Sequence, residues 1–335
     1  MPTPDGAVPP RAAITGVATY VPDRRVTNDD LAARLDTSDE WIVTRTGIRE
    51  RRIGAPGETT STMASAAVRR LLAARDLAPD AVDALIVATV TPDMMFPATA
   101  CLVQDQVGMP RVWGFDLSAA CSGFLYALTT GAQLVASGTH RRVIVAGSDL
   151  MSSIIDPADR TTAVLFGDGA GAILLEPAEP GYGLLDFFHR VDGSGRDELL
   201  MPAGGSFRPA SHETVDRREH FLKQNGKVVF KFAVSQMARC ITTLLERHGL
   251  QPSDVAMVIP HQANQRILDA TADRLGLPHD RMASVIARYG NTTAATLPLA
   301  LEDALLAGRI ARGDLVVFVA VGAGFTVGAS LVRWQ

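Results

Sequence analysis

The sequence has no CxxC pair, no HExxH and no His/Cys cluster at metal-ligand spacing, so no residues stand ready for a structural zinc or a metalloprotease centre. Its three cysteines, Cys101, Cys121 and Cys240, are odd in number and far apart. That speaks against a disulfide framework and makes a reducing cytoplasm the expected home. No apolar run reaches the ~20 residues a membrane helix needs. The opening MPTPDGAVPPRA is Pro-rich without an apolar core, so residues 1–12 read as a floppy leader and not as a signal peptide. A formal net charge of −4 gives no basic excess for nucleic acid. The Walker A lysine, the GxGxxG fingerprint, GxSxG and the kinase signatures are all missing. The glycine stretches GDGAG at 167–171 and GAGFTVG at 322–328 therefore read as tight turns and close backbone approaches.

What is present is an ordinary globular composition: 335 residues, 47% apolar and 20% charged, enough for a large core or two fused halves. Residues 14–21 read as a first strand, and TNDDLAARL as a helix start capped by Thr27 or Asn28. Residues 36–53 are charged with one Trp and read as an exposed segment. Thr60–Arg75 places Met63, Ala67, Leu71 and Ala74 on one helical face. The apolar runs at 84–90, 143–147, 170–175, 255–259 and 315–321 have strand length and no polar face, the mark of strands buried on both sides. Strands alternating with helical segments predict α/β layers with a largely parallel sheet. Residues 177–226, rich in Gly, Pro and charge, read as an irregular excursion.

The two halves resemble each other. Leu71, Leu72, Leu77, Pro79 and Val82 recur as Leu244, Leu245, Leu250, Pro252 and Val255, each 173 positions on. VASG at 135–138 pairs with LLAG at 305–308 at an offset of 170, and at that offset Cys121 falls on Asn291. The repeat so read sets Cys121 and Asn291 at equivalent helix starts. The strand ending at Pro260 delivers His261 to its carboxyl end, where open α/β sheets bind ligands. Cys121, in DLSAACSGFLYAL, sits where a strand turns into a helix, whose free N–H groups favour thiolate and could hold an oxyanion. Locally, Cys121 also fits a small buried hydrophobe, His261 a satisfied strand-end histidine and Asn291 a helix cap.

AACSGF with Cys121, PHQANQRI with His261, GNTTAATLPLAL with Asn291 and the final GAGFTVGASLVRW closely resemble the β-ketoacyl-acyl carrier protein synthase III family. DTSDEWIVTRTGIRERR and DPADRTTAVLFGDGAGA do so too, and the resemblance is collinear over nearly the whole chain. It implies the thiolase fold, two duplicated βαβαβ halves in a five-layer αβαβα sandwich. The halves would be residues 13–176 with the nucleophile and 227–335 with His261 and Asn291. It implies a homodimer, no bound cofactor or metal, acyl-CoA and malonyl-acyl carrier protein as substrates, and no nucleic acid or membrane partner. The implied reaction is a decarboxylative Claisen condensation that initiates fatty acid synthesis from a short primer, acetyl-CoA above others.

By the same resemblance Cys121 takes the acyl group, the Cys121 and Ala323 N–H groups hold the oxyanion, and His261 and Asn291 donate to the enolate. Trp41 and Arg160 resemble the pair that sandwiches the CoA adenine, and Arg45 a contact for the nucleotide. Gly226, Phe230, Ala263 and Asn264 resemble the pantetheine tunnel wall, while Arg266 and Lys231 resemble the rim that meets the carrier protein. Phe96 matches a residue that reaches into the dimer partner's acyl pocket and shortens it. A thiolase would need a second cysteine in 322–328, and a hydroxymethylglutaryl-CoA synthase a glutamate where Thr89, Val90 and Thr91 stand. Retention of all three active-site residues counts against a non-catalytic subunit. Priming of a specialised polyketide, and acyl transfer without condensation, remain alternatives.

Overall fold

The computed structural model describes residues 10–335, so residues 1–9 of the expected leader lie outside the described residues. Nine strands form two main sheets. In chain order β1 is Ala12–Tyr20, β2 Ala84–Ala88, β3 Trp113–Leu117, β4 Val143–Asp149 and β5 Gly169–Pro177. They continue with β6 Gly183–Val191, β7 Met257–Pro260, β8 Leu315–Gly322 and β9 Thr326–Arg333. Every residue of β2, β4, β7 and β8 is buried. Strands with no polar face must be covered on both sides, and that need builds the layers.

The first sheet runs β1-β5-β4-β2-β3 and the second β7-β8-β9-β6. The expected largely parallel sheet is replaced by mixed ones. β2 pairs in parallel with β3 and β4, as does β7 with β8, but the remaining pairings are antiparallel. The step from β8 to β9 is a short hairpin, which only antiparallel strands can make.

Read from the other end, the second sheet repeats the first: β1-β5-β4-β2 becomes β6-β9-β8-β7. The counterpart of the opening strand is therefore β6. It lies within 177–226, which is not irregular throughout, and the second half draws on chain well before residue 227. β6 is a partly buried edge strand, entered through Gly181 and Gly183 with left-handed φ of 89° and 84°. Those turn residues hide a short strand from a compositional reading.

The helices that matter are α1 Asp39–Thr46, α2 Thr60–Ala74, α3 Gly123–Ala136, α4 Gly226–Arg247, α5 Gln265–Leu275 and α6 Thr296–Leu306. α3 and α6 share one core between the sheets, where Phe124, Leu128, Leu297 and Leu301 meet Ile86, Val145, Ile259 and Phe318. α2 covers the outer face of the first sheet through Met63, Val68 and Leu71. α4 and α5 cover the second through Met237, Ile241, Leu244 and Ile267. Each such buried side chain contributes about 1.5–3 kcal/mol. The result is five layers, αβαβα. α4 has 22 residues and is apolar enough to cross a membrane by length and composition. Its buried stripe against the second sheet makes it a core helix instead.

Residues 36–53 are not simply exposed. α1 is capped by Ser38 and buries Ile42, and Ile48 joins it in a small core with Val26 and Leu31. Arg51 is fully enclosed there. Its guanidinium donates to the Val26 and Val164 carbonyls and to Asn28 Oδ1, while burial pulls its pKa down to about 10. The charges that suggested solvent are partly spent on these internal bonds.

Candidate active site

Cys121 sits in a 3-10 turn, Ala120–Ser122, that leads directly into α3. Ala120 takes a left-handed φ of 49°, a conformation rare outside glycine. The second half repeats the device. Thr293, φ 52°, opens the 3-10 turn Thr293–Ala295 that leads into α6. The true register of the helix starts is thus Ala120 on Thr293, which sets Cys121 against Ala294 and not against Asn291. The three-residue difference lies inside the helices: α3 runs from Gly123 to Ala136, α6 only from Thr296 to Leu306. Asn291 stands two residues before Thr293, ahead of the strained turn.

A cavity of about 550 Å³ lies between the halves, and Cys121, His261, Asn291 and Ala323 all line it. His261 reaches it from the carboxyl end of β7, as expected. Its N–H donates to the Val319 carbonyl of β8, which anchors the residue to the sheet. Asn291 is held by its own loop. Its N–H donates to Leu165 O, its carbonyl accepts from Gly167, and its Oδ1 accepts the Thr293 N–H at 2.9 Å. With the oxygen so committed, the amide N–H₂ is the group Asn291 can offer to the cavity.

The last glycine loop is clamped onto the cysteine turn. Thr326 Oγ1 donates to Ala119 O at 2.8 Å and Ser122 Oγ donates to Thr326 O at 3.2 Å. Gly322 lies so close that a Cβ there would stand 2.8 Å from the Cys121 nitrogen. Asp149, at the end of β4, ties the halves together behind this turn. One carboxylate oxygen accepts from Thr89 Oγ1, Thr91 Oγ1 and the Val90 N–H, and the other from the Ala294 N–H at 2.9 Å.

Burial acts on both side chains. It pushes the Cys121 thiol up to about 12, with the Asp149 charge adding to the rise and its own N–H opposing it. Burial pulls His261 down to about 3. Burial thus opposes the thiolate that the helix start favours, and it opposes the charged form of His261 as well.

Of the tunnel residues, Gly226, Phe230, Ala263 and Asn264 line the same cavity, and so does Arg266, whose guanidinium stacks 5.3 Å over Phe230. Lys231 is exposed one turn along α4 and does not line the cavity; Lys227 does. Trp41 also stands off the cavity wall, with the Arg45 guanidinium 4.5 Å and that of Arg160 5.2 Å from its ring centre. Asn264 caps α5 and donates to the Arg45 carbonyl at 2.9 Å, so this aromatic–guanidinium cluster adjoins the mouth. Phe96 is 84% exposed and far from lining the cavity of its own chain. Asp149, which ties the halves together, and Thr296, which contacts His261, carried no signal of their own in the sequence. Among the described residues no group of three or more His, Cys, Asp or Glu is placed to hold a metal ion.

Duplicated mixed sheets, with a strained turn in each half opening a central helix at a shared cavity, define a thiolase-fold condensing enzyme. Comparison with known proteins narrows the class. The description "3-Oxoacyl-[acyl-carrier-protein (ACP)] synthase III" matches residues 115–193, and its C-terminal counterpart matches 245–334. A β-ketoacyl-[acyl-carrier-protein] synthase III from Solibacter usitatus is 56% identical over 97% of this chain and 99% of its own. The solved structure of a synthase III from Thermus thermophilus is 46% identical, with a TM-score of 0.89 over 96% of this chain and 99% of that one. The priming β-ketosynthase of the R1128 polyketide pathway is 36% identical, with a TM-score of 0.88 over 98% of both chains. The chain belongs to the β-ketoacyl-[acyl-carrier-protein] synthase III family, and it is a condensing acyltransferase.

Proposed function

We propose that this chain condenses a short acyl group, acetyl above others, from acyl-CoA with malonyl-acyl carrier protein. The products are 3-ketoacyl-acyl carrier protein, CoA and carbon dioxide, and the reaction starts fatty acid synthesis. The observation that carries the reading is the meeting of Cys121 with His261 and Asn291, from opposite halves, on one cavity.

The Cys121 sulfur attacks the thioester carbonyl as the thiolate. Its proton, lost on ionisation, ends on the departing CoA sulfur. The Cys121 and Ala323 N–H groups hold the oxyanion, and the clamp through Thr326 keeps the two donors in register. Malonyl-acyl carrier protein then loses carbon dioxide, and the electrons of the broken C–C bond pass into an enolate. His261 Nε2–H and the Asn291 amide donate to the thioester oxygen on which that charge grows. The enolate carbon attacks the acyl-Cys carbonyl, and collapse expels the cysteine sulfur, which takes up one proton. None of these steps calls on a metal or a bound cofactor.

Trp41 and Arg160 hold the CoA adenine between a ring and a guanidinium, with Arg45 beside the nucleotide. Gly226, Phe230, Ala263 and Asn264 guide the pantetheine arm, and Arg266 and Lys231 meet the acidic carrier protein at the rim. The working unit is a cytoplasmic homodimer. β3 is an edge strand with exposed Trp113, and Met95 and Phe96, which are 80% and 84% exposed, shortly precede Thr99 and Ala100, whose N–H groups donate to Asp116 of β3. An unpaired edge next to an apolar patch favours pairing with a second copy, which would bring Phe96 toward the partner's acyl pocket. The three free cysteines fit a reducing compartment.

The test supplies purified protein with acetyl-CoA and malonyl-acyl carrier protein and follows the carrier protein by mass. The expected product is 3-ketobutyryl-acyl carrier protein, lost in Cys121→Ala. Acetyl transfer to the carrier without carbon dioxide release would move the reading to an acyltransferase.

A further inference from the structure

His261 carries one polar contact that the reaction above leaves unexplained. Its Nδ1 lies 2.8 Å from Thr296 Oγ1, the first residue of α6. The same hydroxyl lies 2.8 Å from the Thr293 carbonyl. A hydroxyl has one proton, so it donates to one of these two partners and not to both. The choice sets the imidazole. If the proton goes to Thr293, Nδ1 must itself carry hydrogen and donate to Oγ1, and Nε2 then faces the cavity as a bare lone pair. If it goes to His261, Nδ1 is the lone pair and Nε2 carries the hydrogen.

The first arrangement makes both contacts, but the decarboxylation proposed above needs a hydrogen on Nε2 and so requires the second. The Thr293 carbonyl already accepts the Thr296 N–H across the 3-10 turn, so it stays satisfied when the hydroxyl turns away. With the hydrogen on Nε2, Nδ1 is a buried lone pair, and the Thr296 hydroxyl at 2.8 Å is placed to donate to it, while burial disfavours the charged ring. Thr296 is itself buried and β-branched, at the start of a central helix, so its side chain is held in place.

We propose that Thr296 is a positioning residue for decarboxylation: its hydroxyl donates to His261 Nδ1 and fixes the imidazole as the Nε2–H tautomer that faces the cavity. The inference rests on the condensation reading above, in which Nε2–H donates to the enolate oxygen. A bare Nε2 lone pair would repel that oxygen. Acylation of Cys121 draws on the backbone donors instead, so the two half-reactions depend on Thr296 unequally.

The tautomer is read first, by nitrogen NMR of ¹⁵N-histidine-labelled wild-type protein without substrate. Nε2 protonated and Nδ1 bare is the expected result; the reverse overturns the proposal, and ketoacyl product formed by that same protein would keep the condensation while removing Nε2–H as the enolate donor. Thr296→Val then keeps the shape and removes the hydroxyl, and Thr296→Ser restores it. In the Val variant malonyl-acyl carrier protein decarboxylation falls about tenfold or more, while acetylation of Cys121 stays within about threefold. The Ser variant recovers most of the loss. Equal losses in both half-reactions, or a Val variant with unchanged tautomer and decarboxylation, overturn it. Wild-type protein that shows the expected tautomer but makes no ketoacyl product would sink the condensation reading instead.

Discussion

Replacing Gly322 with alanine isolates the clamp between the two N–H groups proposed to hold the oxyanion. The glycine has no left-handed φ, so alanine is acceptable to its backbone, and any effect comes from space. The added Cβ would stand 2.8 Å from the Cys121 nitrogen, 2.8 Å from Thr326 Oγ1 and 3.0 Å from Ala119 O. Ordinary carbon contacts lie near ~3.5 Å, so the loop must retreat by several tenths of an ångström. Two of the three crowded atoms are backbone, which cannot swing aside. The retreat carries Ala323 with it and lengthens one donor's reach to the oxyanion. Loss of one such donor costs about 10²–10³ in rate, and overpacking of this kind costs about 1–3 kcal/mol of stability. We therefore expect Cys121 acetylation, followed as CoA release in a single turnover, to fall on the order of 10²-fold. Gly205→Ala, where a Cβ meets nothing within 4 Å, serves as the control. Wild-type acetylation in a folded Gly322→Ala protein would refute the clamp and the assignment of Ala323 as donor.

Other expectations follow from the same geometry. Burial raises the Asp149 carboxyl from 3.8 to about 6, so between those values the folded chain binds more protons than the unfolded one. Stability then falls as pH rises through that window and levels above it, by about 3 kcal/mol in all. Denaturant unfolding of wild type and Asp149→Asn from pH 4.5 to 7.5 should show this slope in the wild type alone, and parallel curves would contradict it. Trp41→Ala removes the ring under Arg45 and Arg160 and should raise KM for acetyl-CoA by about 5–30-fold with kcat little changed. A fall in kcat at constant KM would remove Trp41 from the binding surface. Phe96→Gly should widen the range of acyl-CoA chain lengths that acylate Cys121. An unchanged profile would detach Phe96 from the acyl pocket.

The parts of the fold legible in the sequence are those fixed by local pattern. β2, β4 and β8 announced themselves as unbroken apolar runs, because a strand buried on both faces has nowhere to put a polar residue. α2 was legible from its apolar stripe, and its capping threonine, Thr59, lies one residue before the predicted start. β6 was hidden because an edge strand needs only partial burial and its flanking glycines mimic a loop. α1 was hidden because it buries only Ile42 and Thr46 and leaves Asp39, Glu40 and Arg45 exposed. The helix-start register was misplaced because a deletion inside α6 leaves the same trace as one before it; only the paired left-handed residues Ala120 and Thr293 resolve the two. Cys121, His261 and Asn291 stood out through motifs. Thr296 and Asp149 meet their partners His261 and Ala294 across long sequence separations, and no local pattern marks them. The burial that opposes ionisation of Cys121 also lay beyond the sequence, since both halves contribute to it.

The most direct test of the account is the intact mass of the protein after mixing with an equimolar panel of acyl-CoAs, with the adduct mapped by peptide. The account predicts a single acetyl group on Cys121, discharged when malonyl-acyl carrier protein is added. Cys101 is the exposed thiol and serves as the internal control for indiscriminate acylation. An adduct on Cys101 alone, or none on Cys121 from any donor, would contradict the claim that this buried thiol is the nucleophile.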